Sequence, residues 1–428
     1  KDAVTPNLDK LAEDGVKFEY TFTCQPVCGP ARACIQSGQY ATETGCFVNA
    51  KALPENERTI AKCLSEKGYE VGYLGKWHLA SNGKNDLEIK PVPPAKRGGY
   101  KDFWLAADAL EHTSHSEGGY MFDAGMNKIE FKGYRVDSET DFALDYLKNR
   151  KTDKPFFFMI SYLEPHHQND RKRYEGPEGS KERFKNFEVP GDLAGTEGDW
   201  RENYPDYLGC CASLDKNLGR IIEELKRQGI YDNTVIIFST DHGSHFRTRN
   251  SEYKRTCHEG AIRIPLVIHG PGFKGGKTVK ELVSLIDIPP SILAVAGVEK
   301  PEGMRGHAVQ EIVNGVSKDW PEEVFIQISE SQVGRAIRTK KWKYSVYAPH
   351  KNGYLDSNSD VYVEQYLYDL EKDPFEKKNL TKDPAYIDVR QTLSGILKKR
   401  MSEAGESVPE ILPAQDYLNI KWQDCEKH

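Results

Sequence analysis

The sequence predicts an α/β protein, a mixed sheet sandwiched by helices, followed by a smaller α+β unit built on an antiparallel sheet. Two observations carry the first part. Short apolar runs that read as buried strands recur along the chain, with helical repeats between them. Three of those runs also end in His, Lys or Asp. The second part rests on a change of texture near Trp320, where closely spaced short strands replace the alternation. The predicted division is therefore a larger unit over residues 1–318 and a subdomain over 319–428.

The elements follow in order. Thr5 can cap a first helix, with Pro6 in its first turn, Leu8, Leu11 and Ala12 on its apolar face and Gly15 as a left-handed stop. A Cys- and Gly-rich segment follows over 24–32, and a helix begins at Ile60 and ends at Gly68. The run over 71–74 leads into Gly75-Lys76-Trp77-His78, and that over 156–162 into Glu164-Pro165-His166-His167. The run over 235–239 leads into Thr240-Asp241-His242-Gly243. Between the last two, Leu214, Leu218, Ile221, Ile222 and Leu225 repeat at helical spacing over 212–228. The polar stretch over 171–201 reads as a long surface loop. Strands over 324–328, 335–338, 342–347 and 366–370 and a helix over 391–401 complete the chain. Ligands of α/β sheets bind beyond the carboxyl ends of the strands, so three strands that end in ionisable groups point to an active site at one edge.

Composition narrows the function. No stretch approaches the ~20 apolar residues of a membrane-spanning helix. Lys and Arg number 59 against 65 Asp and Glu, a net charge of -6 that argues against general nucleic-acid binding but leaves room for a local basic pocket. Nine cysteines, an odd count with Cys210 and Cys211 adjacent and no paired CxxC, form neither a disulfide framework nor a zinc site. Reduced thiols in a cytoplasmic protein are the expectation, with Cys24, Cys34, Cys46 and Cys63 in the core. The chain opens on Lys1-Asp2 rather than Met, so an incomplete beginning is expected and a periplasmic or secreted location stays open.

Cys28-Gly29-Pro30-Ala31-Arg32, followed by Gly38, resembles the Cys-x-Pro-x-Arg signature of the formylglycine-dependent (type I) sulfatases of the alkaline phosphatase superfamily. Thr5-Pro6-Asn7-Leu8-Asp9-Lys10-Leu11 resembles the pattern ahead of that signature. Gly75-Lys76-Trp77-His78-Leu79, Pro165-His166 and Thr240-Asp241-His242-Gly243 resemble later elements of the family. So do Lys254 with Glu259 and Arg263-Ile264-Pro265, and the C-terminal Leu367-Tyr368-Asp369-Leu370, Asp373-Pro374, Glu376 and Asn379-Leu380. These matches keep the family's order over nearly the whole chain, and their look is that of bacterial carbohydrate sulfatases.

The resemblance implies an alkaline-phosphatase-like fold and a sulfate monoester hydrolase whose Cys28 is oxidised to formylglycine by a formylglycine-generating or anaerobic sulfatase-maturing enzyme. Hydrated formylglycine would attack sulfur with Asp241 as base, and His166 or Lys254 would protonate the leaving oxygen. His78 would release the sulfate, and Arg32 would hold the formylglycine hydroxyls. Lys76, Lys254 and a calcium ion would neutralise the sulfate oxygens, the calcium held by Cys28, Asp241 and His242. The family's pair of metal-binding aspartates on a first strand has no counterpart before Cys28, so those ligands are expected upstream of Lys1. His167, Arg247 and Arg249 are expected to contact a sulfated carbohydrate. A phosphonate or phosphate ester hydrolase of the same superfamily, and a non-catalytic sulfoglycan-binding protein, are the alternatives.

Overall fold

In the computed structural model, which describes residues 4–83, 88–151, 153–317 and 319–414, the apolar runs become strands and the helical repeats cover them. Along the first part lie β1 (Val16–Phe22), β2 (Glu70–Lys76), β3 (Phe103–Ala107), β4 (Ser114–His115), β5 (Gly118–Asp123), β6 (Lys128–Lys132) and β7 (Phe156–Ser161). Next come β8 (Ile236–Phe238), β9 (Arg263–His269) and β10 (Lys277–Ser284). The last are β11 (Glu323–Ile328), β12 (Gly334–Thr339), β13 (Trp342–Tyr347), β14 (Val361–Asp369) and β15 (Glu410–Leu412). They form three sheets: β10-β1-β9-β8, β4-β5-β3-β2-β7 with β6 beside β5, and β11-β12-β13-β14-β15.

The three runs that end in ionisable residues do not share one parallel sheet. β2 and β7 pair in parallel, but β8 lies antiparallel to β9 in another sheet. Among the described residues β7 pairs with β2 alone and β8 with β9 alone. A cleft of about 1240 Å³ runs between them. Its walls include Phe156 to Ile160, Ile236 to Phe238, and Leu218, Ile221 and Leu225 from the helix Trp200–Arg227. Phe156, Phe157, Phe158, Met159 and Ile160 are accordingly half-buried, although so apolar a run reads as fully covered.

Three other expectations change for local reasons. The first helix, Pro6–Asp14, takes its cap not from the Thr5 side chain but from Asp215, whose carboxylate accepts from the Asn7 and Leu8 N–H groups at 3.1 and 2.7 Å. Gly15 is not left-handed (φ -110°); glycine fits because a Cβ there would lie 2.5 Å from the Ile268 carbonyl oxygen. The stretch over 171–201 is more than a surface loop. Its Tyr174, Leu193 and Trp200 form a small core with Phe246, from apolar residues too widely spaced to show a period.

The C-terminal sheet packs Phe325, Ile337 and Tyr344 on Leu393, Leu397 and Met401 of the helix Ile387–Glu403. A buried ionic seam joins it to the segment after Lys254: Lys343 Nζ lies 2.7 Å from Glu259 and 2.5 Å from Glu376. Cys24, Cys34, Cys46 and Cys63 are buried and free. No helix among the described residues is long and apolar enough to cross a membrane. Asp2 lies outside the described residues.

Candidate active site

Cys28, within the Cys- and Gly-rich segment, opens the helix Cys28–Ser37. Gly38 ends it in the left-handed conformation (φ 66°). At a helix N-terminus the unpaired N–H groups and the dipole favour negative charge. The cysteine is 2% exposed. Lys254 Nζ lies 2.8 Å from its Sγ and His242 Nε2 lies 3.2 Å away. Burial alone would push the Cys28 thiol up, but Lys254, Lys76 and His242 outweigh it and hold the group well below its usual range.

Arg32, one turn along the same helix, ties together the ends of three strands. Its Nη1 donates to the Lys76 carbonyl (2.8 Å) at the end of β2 and to Ser161 Oγ (2.5 Å) at the end of β7. Its Nε lies 3.3 Å from Asp241 Oδ2 beyond β8. The guanidinium therefore spans one end of the cleft between the two sheets. Burial works against the Asp241 charge, yet His242 and Arg32 keep its carboxyl below the usual range.

Gly75 must be glycine: its φ is 100° and a Cβ would sit 2.3 Å from the Ser161 carbonyl. That close approach brings Lys76 fully inside. His78 has a positive φ of 60°, and its N–H donates to the Asp108 carbonyl. The Asp108 carboxylate in turn accepts from the N–H groups of Leu79, Ala80 and Ser81, which fixes the turn. Trp77 packs beneath, edge-on to Tyr73, Tyr100 and Trp104.

Two histidine tautomers follow from backbone carbonyls, which can only accept. His242 Nδ1 lies 2.9 Å from the Gly243 carbonyl, so Nδ1 carries a proton and Nε2 faces Cys28. His166 Nδ1 lies 2.6 Å from the His167 carbonyl, which leaves Nε2 to accept from the Tyr253 hydroxyl at 3.1 Å. Burial, helped by Lys76, pushes His166 down to about 4, so the ring is neutral near pH 7.

Cys28, Asp241 and His242 are the group among the described residues that could hold a metal, with donor atoms within 4.8 Å of one another. A histidine that donates its far N–H to a carbonyl while presenting the other nitrogen is oriented as metal-ligating histidines are. The set fits one wall of a cation site.

The structure brings Cys28, Arg32, Lys76, His166, Asp241 and His242 to the cleft, with Lys254 on Cys28. It does not bring Arg247 or Arg249 to the cleft lining. Arg247 Nε pairs with Asp199 at 3.3 Å. Arg249 donates to the carbonyls of Glu376 and Phe375, both at 2.8 Å, and so ties its loop to the C-terminal subdomain. His167 does line the cleft, but it is 1% exposed and stacked on Tyr253. Sequence reasoning missed Ser161, Tyr253 and Glu111. Tyr253 adjoins a motif lysine, whereas Ser161 and Glu111 carried no signal, because only the fold brings them near Lys76.

His245, beneath Lys254, yields a prediction. Its Nε2 donates to the Lys254 carbonyl at 3.1 Å, and burial pushes it down to about 4. The unfolded chain takes up the proton first as pH falls. The stability is therefore whole above pH ~6.5 and fades toward pH ~4, by up to roughly 2–3 kcal/mol. Thermal melts from pH 7 to 4.5 should show this decline, and His245→Gln should flatten part of it. An unchanged slope in the variant would contradict it.

The Sulfatase family profile matches residues 1–298. The chain belongs to the sulfatase family. A second profile, N-sulphoglucosamine sulphohydrolase C-terminal, matches residues 251–403 of this sulfatase. The sulfatase is 27% identical over 433 residues to an ulvan-active sulfatase of Formosa agariphila, covering 98% of this chain and 79% of that protein. It is 24% identical over 496 residues to an N-acetylglucosamine-6-O-sulfatase of Bacteroides thetaiotaomicron, covering 95% and 83%. A solved structure of a protein in complex with its substrate D-glucosamine-2-N,6-O-disulfate superposes with a TM-score of 0.77 at 23% identity, over 94% of this chain and 93% of that one. The fold is the alkaline-phosphatase-like fold of type I sulfatases, a family that is in general dependent on formylglycine and a metal.

Proposed function

We propose that this sulfatase hydrolyses sulfate monoesters on a sulfated carbohydrate, with Cys28 matured to formylglycine and calcium as its cation. The observation that carries the reading is Cys28 itself, buried at a helix N-terminus with the Lys254 ammonium 2.8 Å from its sulfur. The names of the relatives, ulvan-active and N-acetylglucosamine-6-O-sulfatase, support the sugar.

Formylglycine supplies a hydrated aldehyde, which can give up sulfate where a simple alcohol would keep it, and calcium supplies positive charge for the sulfate oxygens. Asp241, His242 and the matured residue 28 would hold the cation, Asp241 giving the hard oxygen that calcium prefers. The cleft between β7 and β8 opens on Asp241, and a carboxylate-bearing strand seated there would complete the ligand set. Lys76 and Lys254 bind the sulfate oxygens by charge-assisted hydrogen bonds. Neutral His166 has no proton on Nε2, so Lys254 is the donor to the leaving oxygen. Arg32 holds Asp241 and both strand ends in register, and by resemblance to the family His78 would take a proton from residue 28.

Matured protein should be assayed on sulfated mono- and oligosaccharides, on an aryl sulfate and on a phosphonate ester. The expected result is the highest kcat/KM on a sulfated sugar. Faster turnover of the phosphonate than of every sulfate would overturn the reading.

A further inference from the structure

Lys76 has a partner that sulfate binding does not require. Glu111 lies in the one-turn helix Leu110–Thr113 after β3, with Oε1 2.6 Å from Lys76 Nζ. The two side chains are 7% and 1% exposed. The backbone that carries the acid is held by Gln168, whose Nε2 donates to the Glu111 main-chain carbonyl at 3.1 Å. Its second oxygen, Oε2, is buried without a partner. Burial would raise the Glu111 carboxyl, but Lys76, then His166 and His78, outweigh it and hold the group well below its usual range.

A buried carboxylate is a poor choice beside a pocket for an anion. It cancels the charge of one of the two lysines that draw sulfate in, and it repels the ester's oxygens through a low dielectric. Ground-state affinity alone would disfavour it. A lysine, however, is a point charge on four rotatable bonds, and a transition state is stabilised only by charge that is already in place. Misplacing a group by about 1 Å costs on the order of 10²-fold in rate.

We propose that Glu111 is a positioning residue, whose carboxylate holds the Lys76 ammonium for the transition state at the expense of ground-state affinity for sulfate. The proposal rests on the sulfatase reading and goes beyond it in one respect. Removing the acid slows turnover without weakening the binding of sulfate. Loss of folded protein would not give that split.

The test uses matured enzyme carrying Glu111→Gln, Glu111→Asp, Lys76→Met, and Lys76→Met with Glu111→Gln. Turnover is read with an aryl sulfate, and affinity for inorganic sulfate is read separately by calorimetry. Glu111→Gln should lower kcat by about 10–100-fold, while sulfate binds as tightly as to wild type or more tightly. Glu111→Asp keeps the buried charge pair but shortens its reach, and should also lower kcat with sulfate affinity held. This variant covers the case in which the glutamine variant fails to fold. In the Lys76→Met background Glu111→Gln should add no more than about twofold. A kcat within threefold of wild type in both single variants would overturn the proposal. So would sulfate affinity that falls in step with kcat, or a full Glu111 effect without Lys76. Wild type that turns over no sulfate ester would overturn the sulfatase reading and this proposal together.

Discussion

Replacing Cys28 with alanine is expected to lower kcat/KM for every sulfate ester by at least about 10⁴-fold while the protein stays folded. Cys28 is the residue at this helix N-terminus on which Lys254 converges, its Nζ 2.8 Å from the sulfur. The structural cost is small by comparison, since losing one sulfur from a buried site costs on the order of 1 kcal/mol. The Cys28 variant should therefore melt within a few degrees of wild type and still bind inorganic sulfate through Lys76 and Lys254. Steady-state kinetics and a melting curve on one preparation check both halves. Residual activity above about a hundredth of wild type would contradict the assignment.

Asp241→Ala is expected to lose at least about 10³-fold in kcat/KM, and added calcium should not restore it. Asp241 gives the carboxylate among the three described residues that can share a cation. It is also the counter-ion of Arg32, whose Nε lies 3.3 Å away, so its removal leaves a buried guanidinium without that negative charge as well as a weakened cation site. Wild type treated with a chelator should lose activity and regain it with calcium. Chelation without effect on wild type, or an Asp241→Ala enzyme that recovers in excess calcium, would show that the site holds no catalytic cation.

The strands that carry the site were legible because apolar runs and punctuation residues report local burial directly, as at β2 and β7. The motif lysines, histidines and Asp241 were legible as types in a fixed order. The helix at Cys28 was not, because Gly29 and Pro30 are poor helix formers in general, whereas Pro is tolerated in a helix's first turn. The pairing of β8 with β9 was invisible too, since an apolar run does not say which neighbour it takes. The partners of Arg247 and Arg249 were not legible for a similar reason. Basic residues near a pocket in sequence look free, but Asp199 and the carbonyls of Phe375 and Glu376 claim them from distant parts of the chain. Glu111 and Ser161 share that origin: they meet Lys76 and Arg32 only once β2, β3 and β7 pair.

The most direct test of the central claim is the mass of the Cys28 peptide from a preparation that actively hydrolyses sulfate esters. The expected peptide carries an aldehyde, an oxygen in place of the thiol, at Cys28 and unmodified thiols at Cys24 and Cys34, with the modified fraction tracking specific activity. Fully active protein with an intact Cys28 thiol would contradict it.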